Sequence, residues 1–162
     1  MRKTISFIAI LMLISFVACS PIEDYFVGET QRADTIINGP LTDVEYTNKV
    51  NRIIVPHMSE GETYMSHHLS ILRGNYPIKQ EIASIKNSID KVQEDIEELD
   101  KIYQPSNRTE DKMETIQRLN EYKDALLRYQ KALEGEKESG IKEAADYLNA
   151  VLASLKTVHG LY

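Results

Sequence analysis

The sequence predicts an all-α fold, arranged as an antiparallel four-helix bundle with coiled-coil-like packing. Apolar residues recur at helical spacing through four long segments after residue 41, and short connections that contain Gly or Pro separate these segments. No segment alternates apolar and polar residues in the way that a half-buried strand does. Two alternatives stay open: a three-helix bundle with a loosely attached first helix, and a helical hairpin that completes its core by dimerising.

The first predicted helix begins at Thr42 and ends before Gly74. Thr42 and Glu45 have the T-x-x-E spacing of a capping box, which satisfies free N–H groups at a helix start. Pro56 lies inside the helix and has no N–H to donate, so we expect a kink near Pro56. The apolar stripe of this helix comprises Val50, Ile53, Ile54, Met58, Met65, Leu69 and Leu72.

The second predicted helix has the most regular pattern in the chain, with apolar residues at alternating steps of four and three. A repeat of 3.5 residues is typical of helices that pack in a left-handed supercoil, and we expect Ile89 to be buried at its centre. Polar residues between these positions, Glu81 among them, are interpreted as a solvated face. The apolar positions are Ile78, Ile82, Ile85, Ile89, Val92, Ile96, Leu99 and Tyr103.

The third helix follows Gln104-Pro105, with a side-chain cap predicted around Asn107, and runs to about Leu133. Two glycines between residues 134 and 140 permit a turn before the fourth helix, which spans about Ile141 to His159. The third stripe comprises Met113, Ile116, Leu119, Tyr122, Leu126, Tyr129 and Leu133. The fourth comprises Ile141, Ala144, Ala145, Leu148, Val151, Leu152, Leu155 and Val158.

The N-terminus has the pattern of a secretory signal peptide, which we assign to residues 1–18. Arg2 and Lys3 precede an apolar run from Ile5 to Val17 without charge, Gly or Pro. A helix of 13 residues rises about 20 Å, which is short for a bilayer core of about 30 Å. The run therefore favours a removable signal over the alternative, a retained N-terminal membrane anchor.

The residues that follow the apolar run, Phe16-Val17-Ala18-Cys19, resemble the lipobox of bacterial lipoproteins. In that family the cysteine thiol accepts a diacylglyceryl group and becomes the new N-terminus after cleavage. The usual residue at the first lipobox position is leucine, where this chain has Phe16. Cys19 is the only cysteine in the chain. The resemblance implies lipidation at Cys19 and a protein held at the extracytoplasmic face of the cell membrane by its acyl chains.

Residues 19–40 form the predicted lipidated N-terminus and tether, and residues 41–162 form the bundle domain. The chain carries a net charge of −6, and loss of Arg2 and Lys3 with the signal leaves 17 basic against 25 acidic residues, or −8. An acidic body excludes nucleic acid as a natural partner and is repelled by anionic headgroups. We expect a monomer or weak homodimer, with a possible protein partner in the cell envelope.

The segment from His57 to His68 contains three of the four histidines and is the one candidate site in the body. Histidine and carboxylate side chains at helical spacing can bind Zn²⁺ or Cu²⁺, and the candidates are His57, Glu60, His67 and His68. No fixed-spacing metal signature such as H-E-x-x-H occurs, so no metal or cofactor is expected. Because Pro56 and Gly61 interrupt regular packing, a protein-binding surface that exposes Val55 and Tyr64 is the favoured use of this segment.

No nucleophile motif or phosphate-binding loop occurs in the sequence, and we expect no enzyme activity. The favoured function is a membrane-anchored lipoprotein whose helical body acts as a binding or structural module outside the cytoplasm. The alternative is a metal- or small-solute-binding lipoprotein that uses the His57 to His68 segment.

Overall fold

A computed structural model describes residues 39–135 and 137–158. Within these residues the chain forms four α-helices and a short 3-10 helix, and it contains no strand. The elements are α1 (Asp43–Leu72), α2 (Ile78–Lys101), the 3-10 helix Ser106–Arg108, α3 (Thr109–Glu134) and α4 (Glu138–Val158). The predicted all-α bundle is confirmed. The predicted signal peptide, Cys19 and the tether as far as residue 38 lie outside the described residues.

Local chemistry sets both ends of α1. The Thr42 hydroxyl accepts a hydrogen bond from the backbone N–H of Glu45 at 3.3 Å, and the Glu45 carboxylate accepts one from the backbone N–H of Thr42 at 2.9 Å. This confirms the predicted capping box. At the other end, Gly74 adopts a φ of 71°, a left-handed conformation that ends the helix and that side-chain-bearing residues rarely adopt.

Helix α1 runs without interruption through Pro56. The bend predicted there and the up-and-down order of all four helices stay predictions. The contacts between α1 and α2 join early residues of one helix to late residues of the other, as in the pairs Lys49–Glu98 and His67–Glu81. These two helices are joined by the short connection around Gly74, which the sequence predicts.

The core lies between the facing sides of all four helices. Its largest fully buried side chains include Ile54 from α1, Ile85 from α2, Tyr122 from α3 and Leu148 from α4. Three residues of the predicted stripes lie outside this core: Leu69, Tyr103 and Met113 are 58%, 70% and 69% exposed. Each lies close to a helix end. The spacing of apolar residues identifies which side of the helix faces the core, but it does not show how far the neighbouring helices extend along that side.

Helix α2 is rotated relative to the orientation that its isoleucines predict. Its buried residues are Glu81, Ile85, Ser88, Val92, Asp95 and Leu99. Ile82, Ile89 and Ile96 are only partly buried and pack against the edge of the core. The prediction that Ile89 is buried at the centre was therefore wrong. Polar residues take the deeper position because α1 offers hydrogen-bonding partners to each of them.

Candidate functional site

The histidine segment of α1 faces α2, and its first histidine makes a buried polar pair. The Nε2 atom of His57 lies 2.8 Å from Oδ2 of Asp95, and both side chains are almost completely buried. Lys91 donates from its exposed ammonium to the other oxygen of Asp95 at 2.8 Å. On the far side of His57, the hydroxyl of Tyr122 donates to its backbone carbonyl at 3.0 Å. His57 is thus bound to α2 by its side chain and to α3 by its backbone.

One turn further along α1, four side chains form a directed chain of hydrogen bonds. Ser88 donates to the Glu60 carboxylate at 2.7 Å, and since a serine hydroxyl carries one hydrogen, Tyr64 must donate to Ser88 at 2.6 Å. The second contact of the Tyr64 hydroxyl, with Ser84 at 3.2 Å, then has Ser84 as donor. Tyr64 is 3% exposed, so the prediction that Tyr64 is available on a binding surface was wrong, whereas Val55 is 45% exposed.

The third polar contact joins His67 of α1 to Glu81 of α2. The Nδ1 atom of His67 lies 3.1 Å from Oε2 of Glu81, and the His67 ring stacks on Tyr76 with centroids 4.2 Å apart. Glu81 is 1% exposed, and its other oxygen, Oε1, is buried without a hydrogen-bond partner among the described residues. Burial raises the pKa of the Glu81 carboxyl, and the neighbouring His67 opposes this effect. The interpretation of Glu81 as part of a solvated face was wrong.

His68 lies apart from these contacts. Its ring is 6.3 Å from that of Tyr129 on α3, and the two planes are tilted by 56°. Burial lowers the pKa of the His68 imidazole, and the charge of Asp146 opposes the shift. His68 is therefore directed to α3 and α4, and it does not share a partner with His57 or His67.

We name these contacts the α1–α2 polar interface. Its members are His57, Glu60, Tyr64 and His67 of α1 with Glu81, Ser84, Ser88 and Asp95 of α2. The four metal-ligand candidates are divided among three separate contacts and a fourth location, so their side chains do not converge. Across residues 39–135 and 137–158, no group of three or more His, Cys, Asp or Glu side chains is placed to hold a metal ion.

Only a weak signal in the sequence marks the α2 members of this interface. Glu81, Ser88 and Asp95 are spaced by seven residues, the same interval that relates Ile82, Ile89 and Ile96. The spacing alone does not identify a second facing side, because Lys79, Lys86 and Gln93 share the same interval and are exposed. These α2 residues can be assigned to a helix interface only when they are matched with polar residues on α1.

Two further observations describe the body as a whole. Among the helices that the structure describes, none is long and apolar enough to cross a membrane. Comparisons of the chain with models of protein families, with curated proteins and with solved structures found no match.

Proposed function

We propose that this protein is a bacterial lipoprotein, anchored through Cys19 at the extracytoplasmic face of the cell membrane, and that its helical body is a binding or structural module. One observation carries the proposal: the only cysteine of the chain stands at the end of an apolar run, in the sequence Phe16-Val17-Ala18-Cys19. A thiol at that position is the group that lipoprotein processing modifies.

The start of the body supports a tethered arrangement. The backbone N–H of Leu41 donates to the carbonyl of Tyr103 at 2.9 Å, just before the Thr42 cap, so the first described residues are fixed at the end of α2. The chain from Cys19 thus joins the body at one defined end of the bundle. In this proposal residues 19–40 act as the tether, and a random coil of that length spans about 25 Å on average. The acidic body, repelled by anionic headgroups, then projects away from the bilayer.

The interior of the body supports a structural or binding role over a catalytic one. In the α1–α2 polar interface each carboxylate accepts from a neighbouring side chain, and the hydrogen bonds run from one helix to the other. Acid–base catalysis needs such a group to reach a substrate proton. Here Asp95 and Glu81 are almost completely buried against the histidines they contact, so they hold the helices together.

The anchor is tested by mass spectrometry of the protein taken from membranes. We expect a mature chain that starts at Cys19 with acyl groups on that residue, and we expect Cys19→Ala to abolish the modification. The matched control is Ser20→Ala, which changes the next residue without removing the thiol and keeps the modification. A parent protein with unmodified Cys19 and with residues 1–18 still attached contradicts the proposal.

A further inference from the structure

The described part of α4 stops short of the end of the bundle at which α1 begins. Gly61 of α1 faces the side chain of Leu152, and His68, seven residues further along α1, lies within electrostatic reach of Asp146. Residue numbers in these two helices therefore run in opposite directions. Val158, the last described residue of α4, follows Leu152 by six residues and lies beside a point about six residues before Gly61. About the first 12 residues of α1 thus extend beyond α4 as described.

A cavity of about 240 Å³ lies beside this part of α1, and its walls continue the two helix faces that contact α4. On α1, Asn51 lines the cavity, and Glu62, three turns later on the same face, pairs with a lysine of α4. On α3, Glu114 lines the cavity, and Arg128, two heptads later, lies over a tyrosine ring of α4. No described residue of α4 lines it. The cavity is therefore the position that a longer fourth helix would occupy.

Apolar surface on α1 adjoins the cavity without a partner among the described residues. Tyr46 and Val50 are lining residues that belong to the core. Val44 and Val55 lie seven residues before and four residues after Asn51, on the face of α1 that contacts α4 further along. They are 69% and 45% exposed. Valines on a face that elsewhere packs against a helix indicate that an apolar segment covers this face.

Residues 159–162 follow α4 directly at this point of the bundle. Their sequence, His-Gly-Leu-Tyr, has two large apolar side chains and no acidic one, so Asp111 and Glu114 at the cavity do not repel them. Four residues extend about 6 Å as a helix and about 13 Å as an extended chain. Along the axis of α1, Asn51 and Thr47 lie about 6 Å and about 12 Å beyond the level of Val158. The reach of the segment therefore matches the position of the cavity.

We propose that Leu161 and Tyr162 dock in this cavity and complete the core at the end of the bundle that α4 leaves open. An apolar cavity of about 150 Å³ accommodates benzene, so 240 Å³ accepts a leucine side chain or a tyrosine ring. Direct attachment favours this segment over a separate partner, because short linkers give effective concentrations in the millimolar range. The proposal goes beyond the proposed function and is independent of the lipid on Cys19. A partner that binds at this end of the body must displace residues 159–162.

The test uses fluorescence of the full chain in detergent. The chain contains no tryptophan, so Tyr162→Trp introduces a single indole. We expect its emission at shorter wavelength, and its quenching by acrylamide severalfold weaker, than for Tyr103→Trp in the same detergent. Tyr103 is 70% exposed and serves as the accessible reference. Equal quenching in the two variants overturns the proposal.

A second pair of variants assigns the docking to this cavity. Asn51→Arg, made together with Tyr162→Trp, places a large side chain in the cavity and should raise quenching of the indole to the level of the accessible reference. The matched control is Asn48→Arg, the same change at an exposed position outside the cavity, which should leave the indole protected. Circular dichroism checks that both variants keep their helices. Protection that survives Asn51→Arg overturns the assignment. Protection that is lost on dilution also overturns it, because the segment of a second copy then fills the cavity.

Discussion

The carboxylate of Asp95 joins a buried histidine to a surface lysine. Its Oδ2 atom lies 2.8 Å from Nε2 of His57 inside the bundle, and its Oδ1 atom accepts from Lys91 at the same distance near solvent. Asp95 itself is 5% exposed. The two contacts share one carboxylate and have the same length. They differ in that the histidine partner is buried and the lysine partner is exposed. They therefore allow a direct comparison of a buried and an exposed interaction.

We expect Asp95→Ala to lower the free energy of unfolding by about 3–5 kcal/mol, because it leaves the His57 imidazole buried without its partner. Lys91→Ala removes the exposed contact of the same carboxylate and should cost less than about 1 kcal/mol. Urea unfolding followed by circular dichroism measures both. Equal losses in the two variants would show that His57 does not depend on Asp95.

The rotation of α2 predicts different costs for the same substitution at two isoleucines. Ile85 is completely buried, and Ile89, four residues on, is only partly buried. We expect Ile85→Ala to cost about 2–5 kcal/mol and Ile89→Ala about half as much, since less apolar surface and a smaller cavity are involved. The midpoints of unfolding in urea measure the loss of stability in each variant. A larger loss at Ile89 would place the isoleucine stripe at the centre of the core after all.

Gly61 marks a close approach between α1 and α4. A Cβ atom there would lie 2.5 Å from Cδ2 of Leu152, which is itself buried. Overpacking costs about 1–3 kcal/mol and exceeds the gain of about 1 kcal/mol in helix propensity, so Gly61→Ala should lower the thermal midpoint. Gly140→Ala, where no atom lies within 4 Å of the new Cβ, should raise it. Stabilisation by both changes would mean that Leu152 moves aside at little cost.

Glu81 predicts a pH dependence of stability. Burial raises the pKa of its carboxyl above 4.5 in the folded chain, so the folded state binds its proton more tightly than the unfolded state. The resulting gain in the stability of the folded state is complete below about pH 4.5, and it is lost as the pH rises through the pKa that the carboxyl has in the folded state. Glu81→Gln cannot ionise, so its stability relative to the parent should increase between about pH 4 and pH 7.

Chemical unfolding across this pH range measures the effect of Glu81→Gln. The matched control is Glu94→Gln, which makes the same change on the exposed side of the same helix. If the difference in stability between Glu81→Gln and the parent does not change with pH, the Glu81 carboxyl has the same pKa in the folded and unfolded states, which contradicts the prediction.

The separation of the histidines predicts the outcome of metal titrations. Because His57 and His67 contact different carboxylates and His68 lies near Tyr129, we expect no stoichiometric site for Zn²⁺ or Cu²⁺ tighter than about micromolar near neutral pH. Isothermal titration calorimetry measures this. A tight site that weakens below about pH 6.5 and disappears in the His57→Ala, His67→Ala, His68→Ala triple variant would favour the metal-binding alternative.

The sequence predicts those features of the fold that depend on neighbouring residues in the chain. Thr42 and Glu45 cap α1 through their own backbone, and Gly74 ends it, so both bounds follow from local chemistry. The start of α3 differs from the prediction around Asn107. Arg108 occupies the cap position without a side-chain cap bond there, and it contacts Asp43 instead. That contact depends on where α1 lies.

The candidate site shows the same limit. The sequence identifies the segment from His57 to His68 as rich in polar side chains, but a helical spacing cannot tell which helix each side chain meets. His57 and His67 face α2, while His68 faces α3, because positions one residue apart on a helix point about 100° apart.

The α1–α2 polar interface also determines the register of the two helices. A stripe of isoleucines tolerates a slip of one heptad, because each position of the stripe is then occupied by another isoleucine of the same helix. Here such a slip in one direction would bring Glu81 beside Glu60, and in the other direction it would bring Asp95 beside Glu60. Both place a second carboxylate, at the buried position of Ser88, beside that of Glu60, and like charges at such close range are unfavourable. The polar residues thereby exclude the misaligned bundles that the isoleucines alone would permit.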